Sequence, residues 1–234
     1  MLQSTSPLFS ILLDCIVVIT FLSLWASYHL YSRRMASKRD SLSNAMKAHR
    51  VAAISNVMQS ETKITGAFIL SNIDRNVSFF ASTALLILAG LVGALAKAEL
   101  IELFINNLPL AYTLNVNQIY LRLLLLIGIF VYAYFTLTWS LRQSSFASVM
   151  VGAGANNGTD QARSYSHLTA KVMDISAHSA NQGLRAYYFS LAAITWLYHP
   201  VAFMIAYLLV VFVLYRREFN SKTVRLLIEA KNYL

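Results

Sequence analysis

Apolar residues in this chain fall in long continuous blocks and do not alternate with polar ones. Three blocks, residues 8–31, 77–96 and 119–141, reach the length of about 20 residues that a helix needs to cross a bilayer. Lipid offers no hydrogen bonds to the backbone, so only helices or closed barrels span it, and a barrel would need alternation. The pattern predicts an all-α, polytopic transmembrane helical bundle. No repeat or linker divides the chain, which predicts a single membrane domain over residues 1–234.

A fourth block, residues 184–215, carries a His199-Pro200 pair near its centre and Arg185 as its only charge. As one helix these 32 residues would measure about 48 Å, against roughly 30 Å of hydrocarbon. Pro200 cannot donate a backbone hydrogen bond, so a helix must bend or break there. The block is therefore either a hairpin that turns near His199-Pro200 or one kinked span, and its length favours the hairpin. In a hairpin, Arg185 and Glu218 would lie at the two feet, close enough to pair.

The basic residues predict an orientation. Lysines and arginines concentrate in the connections 32–76 and 142–183, which places these segments in the cytoplasm and the amino terminus outside. With a hairpin at residues 184–215, 17 of the 19 lysines and arginines face the cytoplasm; with a single crossing, only 12 do. Charge therefore favours the hairpin as well. The expected location is the bacterial inner membrane.

The second of these connections predicts a helix of its own after a Gly/Asn-rich turn. Thr159 is a suitable N-cap, and Asp160 suits the positive end of the helix dipole. A weakly apolar stripe could lie on the membrane or on neighbouring helices; it consists of Ala162, Tyr165, Thr169, Val172 and Met173. Four polar residues share another face and are interpreted as solvated; they are His167, Lys171, Asp174 and His178.

The hydrophobic share and the net charge of the chain indicate which kind of partner it meets. The chain is 57% hydrophobic and 12% charged, with a formal net charge of +9. In a membrane protein such an excess is typical of basic connections that meet anionic lipid headgroups, so the predicted partner is the lipid bilayer and not nucleic acid. Cys15 is the one cysteine, which excludes an intramolecular disulfide.

Asp14 is the carboxylate that lies inside a predicted span. A buried carboxylate in lipid is costly and takes a partner, for which Arg122 and Arg185 are the candidates; a proton or cation relay is the functional alternative. Haem ligation would need two histidines at similar depth, whereas His29 and His199 are expected at opposite faces. The sequence contains no HExxH, GxSxG or phosphate-loop signature, so we expect no cofactor, no metal and no enzymatic activity.

Five short sequence segments occur in this order along the chain: "FFAST" at 79–83, "FTLTWSLRQ" at 135–143, "NQGLRAYYFSLA" at 181–192, "WLYHP" at 196–200 and "LYRREF" at 214–219. In these the chain resembles the domain-of-unknown-function 599 family of bacterial and plant membrane proteins. The resemblance runs over nearly the whole chain and implies an integral membrane protein whose biochemical role is unassigned.

Polar residues of these segments, together with Asp14, are the candidate contacts to a lipid headgroup or to an anionic group of a partner. The alternative interpretation is that these side chains only anchor the helices at the membrane interface. They are Arg142, Gln143, Asn181, Arg185, Arg217 and Glu218.

The leading functional hypothesis is an accessory or assembly subunit of a larger membrane complex, or a homo-oligomer. Small residues in the second span suit close helix packing: Ala81, Ser82, Ala89, Gly90 and Gly93. The alternatives are a small transporter or channel that uses Asp14 and the break at His199-Pro200, and a haem- or metal-binding membrane protein.

Overall fold

The structure, a computed structural model, describes residues 7–36, 41–59, 64–154 and 159–233. Within these ranges the chain forms eight α-helices: α1 (Pro7–Ala36), α2 (Leu42–Gln59), α3 (Ile64–Leu95), α4 (Ala98–Asn106), α5 (Val116–Ala153), α6 (Asp160–Thr195), α7 (Pro200–Phe219) and α8 (Lys222–Lys231). The predicted all-α bundle is confirmed.

Three helical segments in the described ranges are long and apolar enough to cross a membrane: Ser71–Leu95, Val116–Ala153 and Pro200–Lys231. The first two contain the predicted spans 77–96, apart from its last residue, and 119–141. The third begins at the proline of the fourth apolar block. The described apolar stretch of α1, Asp14–Tyr28, is shorter than these three.

The antiparallel pair of α5 and α6 forms the centre of the molecule. Both helices continue well beyond the predicted ends of their apolar blocks, so much of the connection 142–183 is helical. Gly183 permits the close approach of the two helices, because a Cβ atom there would lie 2.5 Å from Leu137 Cγ. Ser140 and Ser176 cross-link the pair, since each hydroxyl donates to the backbone carbonyl of the other residue at 2.8 Å.

The remaining long helices pack around this pair. Helix α3 lies against it through Val77 and Ala81, which are buried with Leu137 and Ala180. Helix α1 meets the bundle through aromatic side chains: the ring of Phe21 contacts those of Phe189, Phe203 and Tyr207. Bulky rings at the contact bury a large apolar area and fix the position of α1.

The fourth apolar block turns back on itself. Helix α6 ends at Thr195, and α7 begins at Pro200, with His199 as its N-cap. His199 Nδ1 accepts a hydrogen bond from the backbone N–H of Val201 at 3.1 Å, and proline suits the first position of a helix because no N–H partner is needed there. Arg185 and Glu218, on either side of the turn, form an ion pair. The hairpin is therefore the form that the chain adopts, and His199 serves as a corner residue.

We call the region around residues 196–199, with α4 and the first turns of α5, the corner end of the bundle. There the backbone N–H of Tyr112 donates to the carbonyl of Tyr198 at 3.0 Å, which fastens the α4–α5 connection to the corner. The opposite end, the basic end, contains α2, α8, the last turns of α5 and the first turns of α6. Helices α2 and α8 pack together there, and His49 Nε2 donates to the carbonyl of Leu227 at 2.9 Å.

The predicted helix after residue 159 is present, with the Thr159 hydroxyl accepting from Ala162 N–H. Its apolar stripe lies on neighbouring helices: Thr169 and Met173 are buried, and Met173 packs with Ile54 of α2 and Val151 of α5. The interpretation of its polar face as solvated holds for His167 and Lys171, which are exposed. It is wrong for Asp174, because this carboxylate forms an ion pair with Arg50 of α2.

Candidate functional site

The corner end contains a buried polar cluster around Asp14. Asp14 and Arg122 are each only 1% exposed, and Asp14 Oδ1 lies 3.0 Å from Arg122 Nη2. Of the two predicted partners for Asp14, the structure thus selects Arg122. Because both charges are buried together, the attraction between them offsets part of the desolvation penalty that each pays.

Two further groups complete this cluster. Gln118 donates from Nε2 to Asp14 Oδ2 at 2.6 Å, and its Oε1 accepts from the backbone N–H of Asn115 at 3.1 Å. Arg122 donates to the carbonyl of Trp196, and its guanidinium lies 4.8 Å from the centroid of the Trp196 ring. The cluster therefore joins the amino-terminal parts of α1 and α5 to the start of the corner. Sequence reasoning missed Gln118; its place one helical turn before Arg122 was the available signal.

The basic end contains a cavity of about 610 Å³, which we call the inner cavity. It lies between α5, α6 and α7 on one side and α2 and α8 on the other, and Ile73 of α3 also lines it. Four of the predicted polar contacts line it: Asn181, Arg185, Arg217 and Glu218. The structure thus brings together residues of the segments 181–192 and 214–219, which lie at the two ends of the hairpin.

Arginines dominate the polar wall of the inner cavity. Arg185 pairs with Glu218, and Arg50 pairs with Asp174. Arg217 Nη1 donates to the hydroxyl of Tyr188 at 2.8 Å; within the described part of the chain it has no carboxylate at salt-bridge distance. Three guanidinium groups therefore face two carboxylates, and the excess positive charge lies on Arg217.

Serine side chains form another part of this wall: Ser140, Ser144 and Ser176. All three are buried, although they lie on helices of a membrane bundle. Arg50 and the serines are residues that sequence reasoning missed. Ser140 and Ser144 lie four residues apart on α5, a spacing that could have been noticed, whereas Ser176 is on α6. The pairing of Arg50 with Asp174 joins residues 124 positions apart and leaves no local signal.

The other predicted contacts lie apart from the cavity. Arg142 is exposed, and its guanidinium lies 5.8 Å from the centroid of the Phe146 ring. Gln143 is buried, and its Oε1 accepts from the hydroxyl of Ser179 at 3.2 Å. Asp14 belongs to the corner end. The seven predicted contacts therefore do not form one site.

Metal or haem ligation would need donor side chains that lie close together. Within the described ranges no three His, Cys, Asp or Glu side chains come close enough together to hold a metal ion. His199 caps a helix. The side chain of His29 lies outside the described residues.

Comparison with known proteins identifies the family to which the sequence is similar. A family model described as "Protein of unknown function, DUF599" matches residues 16–223, which is most of the chain. No curated protein and no solved structure matches the chain.

Proposed function

The chain belongs to the DUF599 family, and we propose that it acts as a non-catalytic accessory or assembly subunit of a larger membrane complex. The observation that carries this proposal is an exposed stripe of small residues on α3, a helix whose other side packs against the bundle.

The stripe runs along the part of α3 that could span a membrane. Its members lie within about 60° of one another on a helix that turns about 100° per residue, and all are exposed: Ser78, Ser82, Ala89 and Gly93. Val77 and Ala81, which lie about 130° and 90° around the helix from the middle of the stripe, are buried against the bundle. Of the small residues that the sequence suggested for packing, Ala81 thus serves the interior, whereas Ser82, Ala89, Gly90 and Gly93 face outward.

The spacing within the stripe favours a second helix. Ser78 and Ser82, and again Ala89 and Gly93, form two small-xxx-small pairs, a pattern that lets membrane helices approach closely. A Cβ atom added at Gly93 would meet nothing within 4 Å, so the position is open. Between the two pairs, the exposed side chains of Leu85 and Leu86 flank the stripe, so a helix that approaches it gains van der Waals contact with both.

The proposed location is the bacterial inner membrane, with the basic end in the cytoplasm and the amino terminus outside. Support comes from the hairpin: α7 returns the chain to the basic end, so the basic residues of the tail join those of the two basic connections. That arrangement agrees with the positive-inside tendency of bacterial membrane proteins.

Transport receives less support from the geometry. Asp14 and the corner do lie together, as a transport pathway would need, but Asp14 is neutralised by Arg122 and fully enclosed. A transport site has to exchange ions with water, whereas this carboxylate is held by two hydrogen bonds, one from Arg122 and one from Gln118.

The test is solubilisation of native membranes in a mild detergent, followed by native electrophoresis and identification of co-migrating polypeptides. We expect the wild-type chain in a species larger than a monomer, together with other polypeptides. Gly93→Leu should shift it to the monomer position, because the leucine holds a partner helix away from the stripe.

Gly128→Leu is the matched control, since Gly128 is also exposed, lies on the spanning helix α5 and has nothing within 4 Å of an added Cβ. A wild-type monomer, or equal effects of the two substitutions, would contradict the proposal. A species that contains only copies of this chain would replace the accessory role by self-assembly.

A further inference from the structure

We propose that the basic end holds one molecule of a membrane lipid with an anionic head group, its head in the inner cavity and one acyl chain in an adjoining apolar groove. This inference rests on the two cavities and their charges, and it is independent of the small-residue stripe on α3.

The apolar groove lies between α3, α5 and α6 and has a volume of about 360 Å³. Phe80, Leu126 and Phe130 line two of its sides, and Leu191 and Ile194 belong to the third. The α6 residues of the groove run from Leu184 to Ile194, which corresponds to about 15 Å along the helix toward the corner end. Its direction is that of an acyl chain that enters a leaflet from the interface.

The groove and the inner cavity share two lining residues, Leu184 and Tyr188. Tyr188 lies at the boundary, where its ring borders apolar residues and its hydroxyl accepts from Arg217. The apolar groove and the polar cavity therefore adjoin at these two side chains. Each volume lies in the range of about 300–1,000 Å³ that small-molecule sites occupy.

The charge of the head group follows from the arginines. Arg50 and Arg185 already have carboxylate partners, whereas Arg217 is held by the neutral Tyr188 hydroxyl and by its ring at 5.7 Å. A guanidinium binds phosphate oxygens with strong, charge-assisted hydrogen bonds. Arg217 is therefore the group that would select a phosphate-bearing head, and the excess positive charge of the wall disfavours a cationic one.

The probes are short-chain lipids and inorganic phosphate added to the full-length, delipidated protein in an uncharged detergent. Thermal unfolding is followed as each is titrated. A short-chain phosphatidylglycerol should stabilise the protein saturably, and a phosphatidylcholine of the same chain length should bind about tenfold more weakly. Inorganic phosphate alone should bind more weakly still, since it cannot use the groove.

Substitutions distinguish binding of the lipid head group from binding of the acyl chain. Arg217→Gln should weaken phosphatidylglycerol binding about tenfold, as expected for the loss of one charge-assisted contact, and Arg217→Lys should recover part of that loss. Arg216→Gln is the matched control, because Arg216 is its exposed neighbour in the chain and does not line the cavity. Leu191→Trp, at the exposed rim of the groove, should weaken lipid binding while the weaker binding of inorganic phosphate stays unchanged.

Three results would overturn the inference. Equal losses in Arg216→Gln and Arg217→Gln would indicate general surface attraction and not a site. Phosphate that binds as tightly as the lipid would indicate a site for a free anion without an acyl chain. The absence of saturable binding by phosphatidylglycerol to the wild-type protein would remove the site altogether.

Discussion

The two ends of the bundle each contain an arginine paired with a carboxylate, but the pairs have different surroundings. At the corner end, Asp14 and Arg122 are fully enclosed and line neither the inner cavity nor the apolar groove. At the basic end, Arg185 and Glu218 have side chains that are each 14% exposed, and both line the inner cavity. The first pair can only hold helices together, whereas the second is open to a ligand.

Because of this difference, the two ion pairs are not equally informative about function. A buried pair without free space has all its strong contacts used within the chain. A pair at a cavity wall can exchange a contact with an anion at little cost. Burial of charge in a membrane protein is therefore informative about function only together with the space beside it.

The largest expected effect is at the corner end. Arg122→Met leaves the Asp14 carboxylate buried without its counter-charge, and the carbonyl of Trp196 without its donor. We expect a loss of about 3–5 kcal/mol of unfolding free energy, measured by denaturant titration in detergent micelles.

The double variant Asp14→Leu with Arg122→Met removes both charges. It should be clearly more stable than Arg122→Met alone, because no unpaired charge remains buried. If the double variant were as unstable as the single one, the pair would not be the source of the effect.

A smaller effect is expected at the basic end. Glu218→Gln removes the carboxylate partner of Arg185 beside a cavity that solvent or an anion can enter, so we expect a loss of about 1–2 kcal/mol. The exposed pair of Arg163 and Asp160, 3.7 Å apart, is the control, and Arg163→Ala should cost less than about 0.5 kcal/mol.

Adding an anionic lipid to these variants should affect the stability of the two ends differently. Phosphatidylglycerol should restore part of the stability of Glu218→Gln, since its head group can approach Arg185 through the cavity. It should not restore Asp14→Asn, where Arg122 is enclosed. Equal rescue at both ends would show that the corner end is open after all.

The sequence predicted the hairpin because its signals are local or additive: a proline in a block too long for one span, and a one-sided distribution of lysine and arginine. It also predicted a partner for Asp14, since a buried carboxylate has few basic residues at hand. Arg185 and Glu218 could be placed together for the same reason, because the hairpin itself brings them close.

What escaped prediction depends on register between distant helices. Arg50 meets Asp174 only because α2 packs across α6, and the inner cavity exists only because six helices leave a space between them. Neither depends on spacing along one helix. The continuity of α6 through Gly183 was also missed: an isolated glycine is tolerated within a helix, and here it allows α5 to approach.

The central claim is that the chain turns at residues 196–199, so that its tail returns to the side of the basic connections. The direct measurement uses single cysteines in a Cys15→Ser background, labelled with a membrane-impermeant maleimide in sealed vesicles. Three exposed positions are used: Lys171 in the first third of α6, Asn107 at the corner end and Asn232 after α8. We predict that Asn232→Cys and Lys171→Cys are labelled from the same side and Asn107→Cys from the opposite side. Labelling of Asn232→Cys from the same side as Asn107→Cys would contradict the hairpin.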